Sequence, residues 1–227
     1  MRKHMFYENY FENIDTEEKA YWLGFISADG SIVKSSQYNS YRLQINLNTN
    51  DESHLEKFLQ SVDAKTIKIY RTYNNKGFSK NGSNISRISL NSFKMCQDLN
   101  RYNVHQNKTY DIELPTNIDD KYMHHYLRGF FDGDGCYYYH FDNKNNRYRY
   151  CFELAGGSLI FMEQLKKYLL LKGIKLNIYV RKDNGVIRLM TGSKIQLIKL
   201  IDYIYKDSHV YLQRKYNKIN EIKSIAA

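Results

Sequence analysis

The sequence predicts an α+β protein made of two similar halves, each running helix, strand, strand, helix, strand, strand, helix (αββαββα). Three observations lead there. A short motif occurs twice, as AYWLGFISADG at 20–30 and HYLRGFFDGDG at 125–135, with Asp29 and Asp134 standing 105 positions apart. The same succession of apolar periods follows each copy. Between them lies VHQNKTYDIELPTNIDD, which holds Pro115, the only proline of the chain; proline bars a helix across the join. The halves are expected at 1–110 and 111–227.

Each element has a local reason. The first motif helix opens on Asp15 or Thr16, with Glu17 and Glu18 in its first turn, and the second on Asp119 or Asp120; such residues accept from free N–H groups and suit the positive end of a helix. Both helices are expected to stop at Asp-Gly, the glycine taking the left-handed conformation. The segments SIVKSSQYNSYRLQINLN and CYYYHFDNKNNRYRYCFEL each read as strand, polar turn, strand. Helices follow in ESHLEKFLQSV and SLIFMEQLKKYLLLKG, then strand pairs at 67–73 with 85–90 and at 176–181 with 186–190. Each half closes with a serine-capped helix, SFKMCQDLNRY or SKIQLIKLIDYIY.

Composition narrows the function. Lys and Arg outnumber Asp and Glu by 34 to 24, a net charge of +10, which suits a polyanionic partner. Three cysteines, Cys96, Cys136 and Cys151, form no C-x-x-C pair, so a zinc site or disulfide framework is not expected. The N-terminus, Met1-Arg2-Lys3-His4, leads into polar aromatic sequence, and no apolar run is long enough to span a bilayer. An intracellular setting is expected, in the cytoplasm of a bacterium or phage-infected cell or in an organelle, without secretion or membrane.

Small residues recur every four positions in the motif helices: Ala20, Gly24 and Ala28 in one, Gly129 and Gly133 in the other. Such stripes let two helix backbones approach closely. If they face each other, Asp29 and Asp134 end side by side. A carboxylate at a helix C-terminus meets the negative end of the dipole at a cost of roughly 0.3–1 kcal/mol, and a second one adds repulsion. A divalent cation removes both problems, and oxygen ligands with open positions suit Mg²⁺. Each aspartate alone reads as a solvated turn residue; the pair reads as a metal site. Asp132 has Ser27 as its counterpart and is expected to be structural.

The two motifs, WLGFISADG and LRGFFDGDG, resemble those of the LAGLIDADG homing endonucleases in their single-chain form. The likeness extends through the element order and linker to YLQRKYNKINEI. It departs from the family pattern at Ser27, which replaces an acid, and at Trp22 and Leu23. It implies two αββαββα halves about a pseudo-twofold axis, with paired motif helices at the interface and two saddle-shaped antiparallel sheets in the DNA major groove. It also implies two or more divalent ions at the helix ends, held by Asp29 and Asp134. Lys108 and Lys215 match the basic residues near the scissile phosphates, where they supply charge or organise water; on their own they read as ordinary solvated lysines. The activity implied is Mg²⁺-dependent phosphodiester hydrolysis of double-stranded DNA at a long asymmetric target, by a monomer.

The strands agree with that reading. In YRLQINLN, Arg42, Gln44, Asn46 and Asn48 alternate with apolar residues; in RYRYCFEL, Arg147, Arg149 and Glu153 do so. Arg, Gln and Asn suit base edges, and Arg87, Tyr179, Arg181 and Arg188 extend the surface. The bland alternative is a solvated sheet face. Two functional alternatives stay open at this level: an intron-RNA maturase and a DNA-binding regulator that does not cut. No phosphate-binding loop or cofactor motif points to a small-molecule enzyme.

Overall fold

The computed structural model describes residues 5–35, 40–74, 82–181 and 185–226. Residues 1–4, 36–39, 75–81, 182–184 and 227 lie outside the described residues. In the first half, helix α1 (Glu17–Asp29) leads into strands β1 (Gly30–Lys34) and β2 (Tyr41–Asn48). Helix α2 (Glu52–Ser61), strands β3 (Tyr70–Asn74) and β4 (Ser83–Asn91) and helix α3 (Phe93–Asn100) follow. The second half repeats the order with α4 (Asp120–Asp134), β5 (Gly135–Asp142), β6 (Arg147–Gly156), α5 (Leu159–Leu171), β7 (Asn177–Val180), β8 (Ile187–Thr191) and α6 (Lys194–Ile204). It then adds α7 (Gln213–Ala226).

The described strands form two antiparallel four-stranded sheets of matching order, β1-β2-β4-β3 and β5-β6-β8-β7. The alternation read from β2 holds: Leu43, Ile45 and Leu47 are buried while Arg42 and Asn48 are exposed. The caps are local and as simple as the sequence suggests. Thr16 accepts from Lys19 N–H at 3.2 Å and Asp119 from Lys121 N–H at 3.1 Å. Ser92, Ser158 and Ser193 cap α3, α5 and α6.

Two expectations are corrected. The residue after each motif helix is not left-handed: Gly30 has φ −81° and ψ 154°, and Gly135 has φ −71° and ψ 144°. The chain turns straight from helix into strand, and what requires glycine is crowding. A β-carbon on Gly30 would lie 2.7 Å from the Ile26 carbonyl oxygen, and one on Gly135 2.7 Å from that of Phe131. The second correction concerns strand ends. β3 begins at Tyr70, and β7 stops at Val180, so Ile67, Leu176, Arg181 and Val186 lie outside the strands. Ladder partners set these limits; past the end of β7, the Arg181 N–H donates to the Val186 carbonyl at 3.0 Å.

Helices α1 and α4 cross at the centre of the molecule. Every residue from Ala20 to Ser27 is buried, as expected of a helix enclosed on all sides. The crossing rests on the small-residue stripes. A β-carbon on Gly24 would meet the Tyr126 carbonyl oxygen at 1.9 Å, and one on Gly133 would meet the Ala28 β-carbon at 2.5 Å. One continuous apolar core runs from these helices to both sheets.

Candidate active site at the paired helix ends

Because α1 and α4 pack backbone to backbone, their C-terminal residues arrive together. The Asp29 carboxylate lies over Gly133, with Oδ2 3.2 Å from where a β-carbon there would sit. Asp134 is the next residue. Burial, and then the charge of Asp134, pushes the Asp29 carboxyl up to about 7. Asp134 keeps an exposed flank, yet the protein around its inner side raises its pKa too, opposed by Lys215 and Lys108. Two carboxyls that resist ionising together are what like charges in a poorly solvated place produce.

The two lysines sit at matching points beneath these ends. Lys108 donates to the carbonyl of Gly30, the first residue after α1. Lys215 donates to that of Gly135, the first residue after α4, and to the carbonyls of Phe131 and Gly133 at 3.0 Å each. Neither is a solvated surface lysine. Lys215 is 7% exposed, and burial lowers it to about 8 against the opposing pull of Asp132, Asp29 and Asp134. Burial lowers Lys108 as well, offset by Asp134 and Asp29. Matching clefts open here, one of about 380 Å³ along Gly30, Ser31 and Lys108 and one of about 430 Å³ along Gly135, Cys136 and Lys215.

The donor set fits a hard cation. Among the described residues no group of three or more His, Cys, Asp or Glu could hold a metal. Two carboxylates that repel each other, beside an open cleft, leave room for waters or phosphate oxygens in the way Mg²⁺ prefers. Two histidines are engaged elsewhere: His125 Nδ1 faces the Arg128 guanidinium at 2.8 Å, and His54 meets the Tyr21 hydroxyl at 2.9 Å.

The outer sheet faces carry the residues singled out for DNA contact. Asn46 lies across from Arg87, and Arg87 from Tyr70. The second sheet places Ala155 across from Arg188, and Arg188 from Tyr179. Tyr70, exposed like Tyr179, was missed by the sequence reading; matching the Arg-Tyr register of the two halves finds it. Some of these side chains have partners within the chain. Arg87 donates to Asn46 at 2.6 Å and Gln44 to Ser89 at 3.1 Å. Arg149 pairs with Asp142 and Arg188 with Glu153. The Asn48 side-chain oxygen accepts from Asn50 N–H at 3.0 Å, capping the turn after β2. Arg42 and Arg147 are exposed on the same faces, and Arg181 lies exposed just past β7. Arg214 was also missed: it borders the second cleft beside Lys215 and reaches Asp51 of the first half at 2.7 Å. The basic run around Lys215 is the only sequence signal for it.

No helix among the described residues is long and apolar enough to cross a membrane. Residues 22–118 match the model of the LAGLIDADG endonuclease family, and residues 121–205 that of the LAGLIDADG-like domain. No curated protein matches the chain in sequence. Solved structures of similar fold include the LAGLIDADG meganuclease I-AabMI bound to uncleaved DNA, at TM-score 0.62 and 15% identity over 91% of this chain and 89% of that one. The homing endonuclease I-LtrWI bound to target DNA has TM-score 0.60 and 14% identity over 96% of this chain and 90% of that one. A third is I-GzeII in complex with its DNA target, at TM-score 0.61 and 14% identity over 91% and 89%. With a family motif in each half and both halves matched, the chain belongs to the LAGLIDADG endonuclease family.

Proposed function

We propose that the protein is a site-specific endonuclease that hydrolyses both strands of a long, asymmetric double-stranded DNA target and depends on Mg²⁺. One observation carries the reading: two aspartates meet at the ends of crossed helices, each end underpinned by a lysine, between two sheets with arginine on their outer faces. The net charge of +10 supports a phosphate-rich partner. The division at 110 and 111 into two halves belongs to the same proposal, as does action as a monomer, since one chain carries both aspartates.

Asp29 and Asp134 are the residues to hold two or more divalent ions. Bound there, Mg²⁺ supplies Lewis-acid polarisation of the phosphate and charge for the leaving oxygen. Arg42, Gln44, Asn46, Asn48, Arg87, Arg147, Arg149, Tyr179, Arg181 and Arg188 are proposed to face the duplex and fix its register, with phosphate contacts positioning and base contacts specifying. Lys108 and Lys215, held against the backbone next to the aspartates, bring positive charge to the scissile phosphates and order the attacking water. Water adds to phosphorus, one ester P–O bond breaks, and the leaving oxygen takes up a proton.

The test is to incubate the protein with a library of long duplexes, in Mg²⁺ or in chelator, and sequence the ends. Metal-dependent double-strand breaks at one site, lost in Asp29→Asn and in Asp134→Asn, are expected. Tight binding of intron RNA with no cleavage of any duplex would overturn the reading in favour of a maturase.

A further inference from the structure

Asp132, two residues before Asp134, is wholly buried. Its carboxylate takes three donors from outside its helix. The Tyr21 hydroxyl of α1 donates at 2.8 Å, the Tyr205 hydroxyl just past α6 at 2.6 Å, and the Leu212 N–H at 2.7 Å. Leu212 directly precedes α7, and its carbonyl takes the first bonds of that helix, from Lys215 N–H and Tyr216 N–H at 3.0 Å each. Lys215 then reaches back to the Phe131, Gly133 and Gly135 carbonyls. The start of α7 is thus pinned to the end of α4 twice, through Asp132 and through Lys215 itself.

Among the described residues, the first half shows no such pin. Ser27 stands in the place of Asp132 and donates to Leu23 O at 2.8 Å, inside its own helix. Lys108 is carried by a turn rather than a helix, directly after Asn107 at φ 61°. That turn closes on itself through Ile112 N–H to Lys108 O at 2.9 Å.

We propose that Asp132 is a positioning residue for Lys215, and that its lack of a counterpart makes the two lysine sites unequal, so one strand of the duplex is cut ahead of the other. The strand order rests on the nuclease reading above; the positioning role does not. A reacting group displaced by about 1 Å loses on the order of 10²-fold in rate, so a pinned lysine and a turn-borne one are expected to differ measurably. The feature that matters is the acceptor. An asparagine can still accept from Leu212 N–H and Tyr21, while the Tyr205 hydroxyl turns to accept from the amide.

Two readouts test this on the full chain. The first needs no cleavage: pulse labelling of lysine amines with an acylating ester, read by peptide mass spectrometry. Asp132→Ala is expected to speed labelling of Lys215 by about tenfold or more, the scale of a modest local opening, with Lys108 unchanged and Asp132→Asn near the parent. Equal opening of both lysines, or of neither, overturns the positioning role. If Asp132→Ala does not fold, Tyr205→Phe removes a single donor and is expected to move Lys215 in the same direction; no movement overturns the role. The second readout follows each labelled strand of a cleaved target. The parent protein is expected to accumulate a nick in one strand, Asp132→Ala to slow that cut by about 10²-fold, and Asp132→Ala added to Lys215→Met to change nothing further. Equal cutting of the two strands by the parent, or equal loss from both in the variant, overturns the strand order. Absence of cleavage on every target defeats the nuclease reading and the strand order, while the labelling contrast still decides whether Asp132 sets Lys215.

Discussion

Gly24 and Gly129 occupy equivalent points of one helix crossing: a β-carbon on either would lie 1.9 Å from a carbonyl oxygen of the other helix, that of Tyr126 or of Tyr21. The contact repeats itself under a twofold rotation, because 24 and 129, like 21 and 126, are separated by the repeat of 105. Backbone atoms cannot move aside for a methyl group, so the helices must separate. Gly24→Ala and Gly129→Ala are each expected to cost about 3 kcal/mol or more, beyond ordinary overpacking. Thermal melting checks this, with Tm falling by roughly 6–12 °C. A fall below about 2 °C in either variant would contradict the packing.

The Asp29 carboxyl, raised from 3.8 to about 7, links stability to pH. Between those values the folded protein holds a proton that the unfolded chain has released. Stability of the metal-free protein therefore declines as pH rises through that window, by at most about 4 kcal/mol. Asp29→Asn removes the titrating group. In chelator at pH 8 its Tm is expected to exceed the parent's by about 3–10 °C, with little difference at pH 4. Adding Mg²⁺ at pH 8 is expected to raise the Tm of the parent and not of the variant. A parent protein that melts at the same temperature at pH 5 and pH 8 in chelator refutes the linkage.

Arg128 is fully buried and donates to Glu17 at 2.7 Å, to Val210 O at 2.9 Å and to Ile204 O at 3.1 Å. Burial works to raise the Glu17 carboxyl, but bonds from His209 and the charge of Arg128 hold it below its usual value. Glu17→Gln strands the guanidinium charge, and the expected cost is about 3–5 kcal/mol. Glu17→Gln with Arg128→Met is expected to recover part of that loss, because no unpaired charge remains. Denaturant melts of the single and double variants measure the coupling; strict additivity would rule it out.

Arg87 and Arg188 hold matching places on the two sheets but have different partners, neutral Asn46 and anionic Glu153. Each change to alanine is expected to weaken binding of the cognate duplex by about 1–3 kcal/mol. Arg188→Ala should cost more, since it leaves the Glu153 carboxylate unpaired on the face proposed to meet the duplex. Fluorescence anisotropy in chelator measures this. Equal, small losses on cognate and random duplexes would remove both residues from base recognition.

Apart from α7, which was not expected, the order of elements, the duplication and the helix caps were legible in the amino-acid sequence. They depend on neighbours within a few positions: Thr16, Asp119 and the three serines each bond an N–H two or three residues on. The small-residue stripes even told which helix faces meet, because a backbone contact leaves a sequence mark wherever a side chain would obstruct it. Other features were decided only by the tertiary structure. Gly30 and Gly135 are demanded by crowding rather than by turn geometry, and that crowding appears only once helix and strand are joined at their actual angle. Lys108 and Lys215 look like surface lysines until the fold lays them against carbonyls 78 and 80 positions away. Asp132 joins α1 and α4 to the segments beyond α6 and before α7 through bonds spanning 73 to 111 positions. A single sequence records residue types and local periods. Which distant donors converge on one buried carboxylate is set by the helix crossing, and only the folded chain shows it.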